Sequence, residues 1–394
     1  MAAALLLLFV GAALLTYSFM QLLAPDEEWV EVQAGSTGGP NVGSEFSFLY
    51  RPGSGELSYS ADLKAVTALY TQLCRDAYLL FHNEEAAEGV CNLYEINRHP
   101  NEILEIDDGF YEAFAAVERT GSRAIYLGPV YDRYESVFFC EDDSQLADFD
   151  PRLSPEVAQE YREVARFAND SNSIQVELLG EGRIRLAVSE EYLAYAQREE
   201  IDDFIDFAWM RNAFIADFLA RGLEAGGYTC GALSSYDGFI RNLDGSGQSY
   251  SLNLYDLRDE TVYGAAVMNY QGPMSIVSLR DYPASGLDQY RFYRLGNGEM
   301  RTPYLDPADG LCRNALHHLT GYAGDRGCGE VLLALLPVYI ADQFRPEELA
   351  RLARTGINSV YCQDRVIWHT DPALELDRLY ELDGVRYTEA LLES

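Results

Sequence analysis

A chain of 394 residues that is 48% apolar and 12% aromatic can bury at least one large core, which excludes a disordered protein. Its 63 acidic and 29 basic residues leave a formal charge of −34, which argues against DNA or RNA as a partner, since nucleic-acid affinity rests on Lys and Arg replacing counterions at phosphates. Lys64 is the only lysine, so cationic contacts fall almost entirely to arginine, whose planar fork suits bidentate pairing with carboxylate or phosphate.

Residues 2–24 form an apolar run long enough to cross a bilayer at ~1.5 Å per residue. No Lys or Arg precedes it and no small-x-small cleavage site ends it, so a single-pass signal-anchor is expected rather than a removed signal peptide. Such an anchor would sit in membrane lipid and carry the acidic flank 26–28, with the domain behind it, to the extracytoplasmic side. Gly, Ser and Pro dominate residues 25–56, a linker composition with one strand expected at 45–50. The folded domain is expected over 57–370, with a C-terminal extension at 371–394.

Apolar positions 63, 66, 69, 70, 73, 77, 80 and 81 repeat with helical period and predict a helix over 63–81. Further helices are expected at 109–119 and 155–168. The segments 174–178 and 183–188 alternate apolar and polar residues around L-G-E-G, the pattern of a β-hairpin. An amphipathic helix over 205–225 stops at Gly226-Gly227. Short strands are expected at 229–241, 249–256, 261–269, 273–280 and 289–295, then a helix at 331–340 despite Pro337 and a strand at 359–369. Early helices, a strand-rich middle and returning helices predict an α+β fold, an antiparallel sheet with packed helices around one core.

Seven cysteines at 74, 91, 140, 230, 312, 328 and 362 contain no C-x-x-C pair, which makes a zinc site by cysteine spacing improbable. Free buried thiols are the expectation, with a Cys312–Cys328 bridge as the alternative. The adjacent His317 and His318, near Cys312, Asp306 and Asp309, suit a surface or capping role better than a metal cluster. Tyr131, Tyr134, Phe138 and Phe139 suit the core.

Six segments carry the functional signal. They are N-L-Y-E-I-N (92–97), T-G-S-R-A-I-Y-L-G-P-V-Y (120–131), D-F-A-W-M-R-N-A-F-I-A-D (206–217), S-G-L-D-Q-Y-R-F (285–292), P-Y-L-D-P-A-D-G (303–310) and C-G-E-V-L-L-A-L-L-P (328–337). In order and spacing they resemble the ApbE family of FAD:protein FMN transferases over roughly residues 60–370. The resemblance implies a T-fold-like domain built for FAD, with Mg²⁺-assisted passage of FMN to a threonine of a flavoprotein partner. It places Asp206, Arg211, Asn212, Ser285, Gly286, Tyr290 and Asp306 at the nucleotide.

The departures from the family pattern fall on working groups. Ala208 and Trp209 replace glycines that let a dinucleotide approach backbone N–H groups, and Asn212 replaces a lysine. Pro303 stands for a histidine and Asp309 for a threonine, while Gly329 and Leu333 stand where a carboxylate and a hydroxyl would face Mg²⁺. The resemblance with these losses implies a catalytically degenerate flavin transferase homologue that could still hold a flavin or nucleotide. One alternative is an active enzyme with relocated groups, Asp306 and Asp309 at the chemistry and Asp309 with Glu330 on the metal. Another is a module whose old pocket docks a protein partner. Asp206 and Asp217 also have ordinary readings, as a helix N-terminal carboxylate and a polar-face residue.

Overall fold

Along Met274–Arg280 the side chains alternate between two apolar environments, Val277 and Leu279 on one face and Ile276 on the other. This is the central strand of a nine-stranded sheet in a computed structural model that describes residues 29–36, 38–53, 58–258, 260–284, 286 and 288–392. From one edge the order is Val30–Val32, Phe46–Tyr50, Gly231–Ser235, Phe239–Asn242, Met274–Arg280, His318–Ala323, Asn358–Gln363, Val366–His369 and Thr388–Leu391. All neighbours are antiparallel except the last pair. Both sides of the expected 57–370 domain thus supply sheet: two strands lie in the stretch expected as linker and one in the expected extension.

One face of the sheet carries three apolar helices, Tyr59–Leu80, Arg211–Ala225 and Cys328–Tyr339, which share the main core with Leu233, Phe239, Val277 and Leu319. Gly321 lets the last helix close on the sheet, because a Cβ there would lie 2.4 Å from Leu335. The other face is covered by the hairpin Ser249–Arg258 with Thr261–Gln271, whose Leu254, Ala266 and Met268 meet Ile276, Tyr322 and Val360 in a smaller core. Sheet buried on both faces explains the apolar runs there.

A second layer of helices, Asp108–Thr120, Gly128–Glu135 and Pro155–Asn169, packs with the three-stranded sheet that pairs Arg183–Val188 with Ile174–Gly180 and Ile103–Glu105. Local signals set the ends of these helices. Asp107 accepts hydrogen bonds from the Gly109 and Phe110 amides, and Gly121 takes a left-handed φ of 64° at the other end. Ser154 caps the third helix and Pro155 occupies its first position.

Arginines tie the layers together. Arg301 is 1% exposed and its Nε lies 2.6 Å from Oδ2 of Asp150, which is fully buried. Arg280 pairs with Asp288 in the same buried manner.

The expectation of a membrane-anchored, extracytoplasmic domain is corrected here. Among the described residues no helix is long and apolar enough to cross a membrane, and the 2–24 run on which the anchor rested lies outside them. The seven cysteines are free, so Cys312 and Cys328 form no bridge. Cys328 Sγ instead donates to the Ile240 carbonyl and Cys312 Sγ to that of Thr302.

Candidate functional site

Beside the turn that joins Gly231–Ser235 to Phe239–Asn242, an open cavity of about 290 Å³ is bounded by Phe207-flanking loop residues, the Gly128–Glu135 helix and the loop after Phe81. The loop 206–210 shapes its floor. Asp206 Oδ1 accepts the Ala208 amide at 2.9 Å, and Ala208 takes a left-handed φ of 44°. That conformation is free for glycine and costs an alanine about 1–2 kcal/mol. The backbone therefore turns as a glycine would, and the Ala208 methyl and the Trp209 side chain stand at the cavity wall. Helix Arg211–Ala225 starts directly after it, so the helix expected from 205 begins six residues later.

Four of the expected site residues meet at this cavity: Asp206, Arg211, Asn212 and Tyr290, together with Pro303. Arg211 is not free, because its Nη2 reaches Glu45 Oε1 at 3.0 Å and Oε2 at 2.9 Å. Asn212 Nδ2 donates to Asp237 Oδ2 at 3.1 Å, and Arg291 donates to the same oxygen at 2.8 Å and to the Trp209 carbonyl at 2.9 Å. Tyr290 and Tyr236 join through their hydroxyls at 2.5 Å.

The others lie apart. Gly286 is exposed and does not line the cavity, and Ser285 is outside the described residues. Asp306 and Asp309 form an arginine clamp in their turn, with Arg313 at 3.0 Å and 2.7 Å, respectively. Glu330 pairs with Arg119 and Arg326 beside a separate hollow. Asp309 and Glu330 are thus each committed to different arginines. Among the described residues no group of three His, Cys, Asp or Glu is arranged to hold a metal ion.

Several residues escaped sequence reasoning. Glu45, Glu84, Asp132, Glu135, Asp203 and Asp237 all face the cavity. Phe139, expected in the core, is 69% exposed at the rim, while Tyr131 and Tyr134 are buried. Asp217, for which an exposed polar-face position was the ordinary reading beside its place in the family pattern, is buried and accepts the Cys328 and Gly329 amides at 2.7 and 2.9 Å. It caps the Cys328–Tyr339 helix. Gly329 itself has no room for a side chain, since a Cβ would lie 2.7 Å from the Phe214 ring. His317 bonds Asp281 at 2.8 Å; His318 lies between Tyr282 and Thr320, where burial pushes its imidazole down to about 3 and keeps it neutral.

Burial pushes the Asp206 carboxyl up to about 7, with the Ala208 amide pulling the other way. Unfolded, the same group would titrate near its ordinary value of ~3.9. Between these values unfolding releases a proton, so this carboxyl weakens the fold as pH rises through the window. Asp206→Asn is therefore expected to gain about 1–3 kcal/mol over wild type at pH 8, less than the full shift because an Asn83 hydrogen bond is altered. The gain should vanish near pH 4. Urea melts at the two pH values check this, and an equal change at both would refute it.

The architecture has counterparts among solved structures. The ApbE protein of Thermotoga maritima superposes with a TM-score of 0.55 at 13% identity, covering 89% of this chain and 97% of that one. The flavin transferase ApbE of Vibrio cholerae gives 0.54 at 14% identity over 91% and 98%, and a histidine-to-glycine variant of it gives 0.55 at 13% over 87% and 96%. No family model and no curated protein sequence matches the chain. The fold is a mixed α+β architecture with a large antiparallel sheet and packed helices. It is the ApbE-like fold.

Proposed function

We propose that this chain is an ApbE-fold protein that does not carry out Mg²⁺-dependent transfer of FMN from FAD to a protein threonine, and that its cavity serves binding instead. The carrying observation is electrostatic. Both arginines at the cavity are consumed, Arg211 by Glu45 and Arg291 by Asp237, while further carboxylates face the same space. A diphosphate needs unspent cationic or N–H donors, or a metal, to offset its charge.

The present residues do not fit that group. Asn212 carries no charge, Trp209 and Ala208 fill the close approach to the backbone, and Gly329 is walled off by Phe214. Transfer chemistry is accordingly not assigned to any residue. Incubation of the protein with FAD, Mg²⁺ and a threonine-containing acceptor peptide is expected to leave the peptide unmodified by mass spectrometry. Metal-dependent appearance of an FMN-labelled peptide would overturn the reading.

A further inference from the structure

We propose that the cavity binds an organic ammonium ion carried on an aromatic or aliphatic body. The inference rests on the loss of diphosphate recognition and specifies what takes its place. Glu84, Asp132, Glu135, Asp203 and Asp206 line the cavity, and among the described residues none of the five is in an ion pair. The two arginines balance only Glu45 and Asp237, so the space is left with a formal excess of negative charge even with Asp206 protonated.

A second observation fixes the polarity of the missing partner. Asp237 is 9% exposed and Asn212 is 4% exposed, yet Oδ1 of each has no hydrogen-bond partner, although the other end of each side chain is bonded. Asp203 Oδ1 is likewise buried and unpaired. Carboxylate and amide oxygens only accept, and leaving them buried and unpaired costs about 1–3 kcal/mol each. Because these acceptor side chains line the cavity together with Glu84, Asp132 and Glu135, a ligand beside them must donate. Phosphates and carboxylates cannot, whereas an ammonium group offers N–H donors and a positive charge together.

The walls suit the rest of such a ligand. Tyr131, Tyr134, Phe138, Trp209 and Tyr236 present rings to the cavity, and cations are attracted to aromatic faces within roughly 6 Å. A volume of about 290 Å³ lies near the lower end for small-molecule sites, enough for a compact amine but modest for a dinucleotide.

The test uses the full chain and four probes in calorimetric titrations: phenethylamine, its neutral counterpart 2-phenylethanol, FAD and MnCl₂. Phenethylamine is expected to bind, with 2-phenylethanol at least about tenfold weaker, since the charge supplies the discrimination. The variant pair Asp203→Asn and Glu135→Gln, near-isosteric and outside any ion pair, is expected to weaken phenethylamine binding by about tenfold or more without lowering the melting temperature. Equal affinity for amine and alcohol, no amine binding below about 10 mM, or Mn²⁺ competing for the cavity in place of the amine would each overturn the proposal. Absence of amine binding together with an unlabelled acceptor peptide would sink this inference alone, whereas a labelled peptide with FAD bound would sink the loss of transfer on which it rests.

Discussion

Arg301→Ala is expected to destabilise the protein by about 3–5 kcal/mol, the range for removing one partner of a buried ion pair. The side chain is 1% exposed, its partner Asp150 is fully buried, and its Nη1 also reaches Glu299 at 3.0 Å. Truncation would leave the Asp150 carboxylate with its Arg152 amide contact and no charge of opposite sign. The cost arises chiefly from that stranded charge, not from the attraction lost. Replacing both partners together, Arg301→Met with Asp150→Leu, should therefore recover much of the loss. Chemical denaturation of the three proteins measures this. A single substitution costing under about 1 kcal/mol would show that water reaches Asp150 freely.

Gly329→Asp, the change that would return a carboxylate to a position where the family pattern has one, is expected to cost about 3 kcal/mol or more. A Cβ at 329 would meet the Phe214 ring at 2.7 Å, and Phe214 is 1% exposed among Phe207 and other core rings. Overpacking of a filled core costs about 1–3 kcal/mol, and a second carboxylate beside the Asp217 carboxylate adds to it. Gly329→Ala isolates the steric part. If Gly329→Asp were as stable as wild type and bound Mn²⁺, the helix would have room for a metal site and the loss of metal chemistry would have to be reconsidered.

The sequence showed the periodic parts of this fold well, because periodicity follows from one-sided burial. The 174–188 hairpin pairs Ile174 with Val188 as its alternation requires, and the helix expected over 63–81 spans Tyr59–Leu80. Elements covered on both faces carried a weaker signal, enough for Met274–Arg280 but not for its neighbour. His318–Ala323 was missed as a strand because it is buried on both sides and has Gly321 at its centre. The segment expected as a strand at 289–295 instead forms a 3₁₀ turn at Gln289–Arg291 and only two paired residues, Tyr293–Arg294. At the cavity, motif order brought Asp206, Arg211, Asn212 and Tyr290 to one place. It could not reveal that Arg211 is paired with Glu45, 166 positions away, or Arg291 with Asp237, 54 positions away. Such pairings depend on tertiary approach, and they leave each of the two arginines balanced by a carboxylate.

The Asp217 cap has a consequence for motion. Its two oxygens hold the first amides of the Cys328–Tyr339 helix from the middle of the Arg211–Ala225 helix. Helix ends ordinarily fray, and their amides exchange with solvent deuterium through small local openings. Here the first turn cannot open without separating two core helices and baring a buried carboxylate, so the Cys328 and Gly329 amides should exchange as slowly as amides in the centre of the sheet, on the timescale of whole-molecule unfolding.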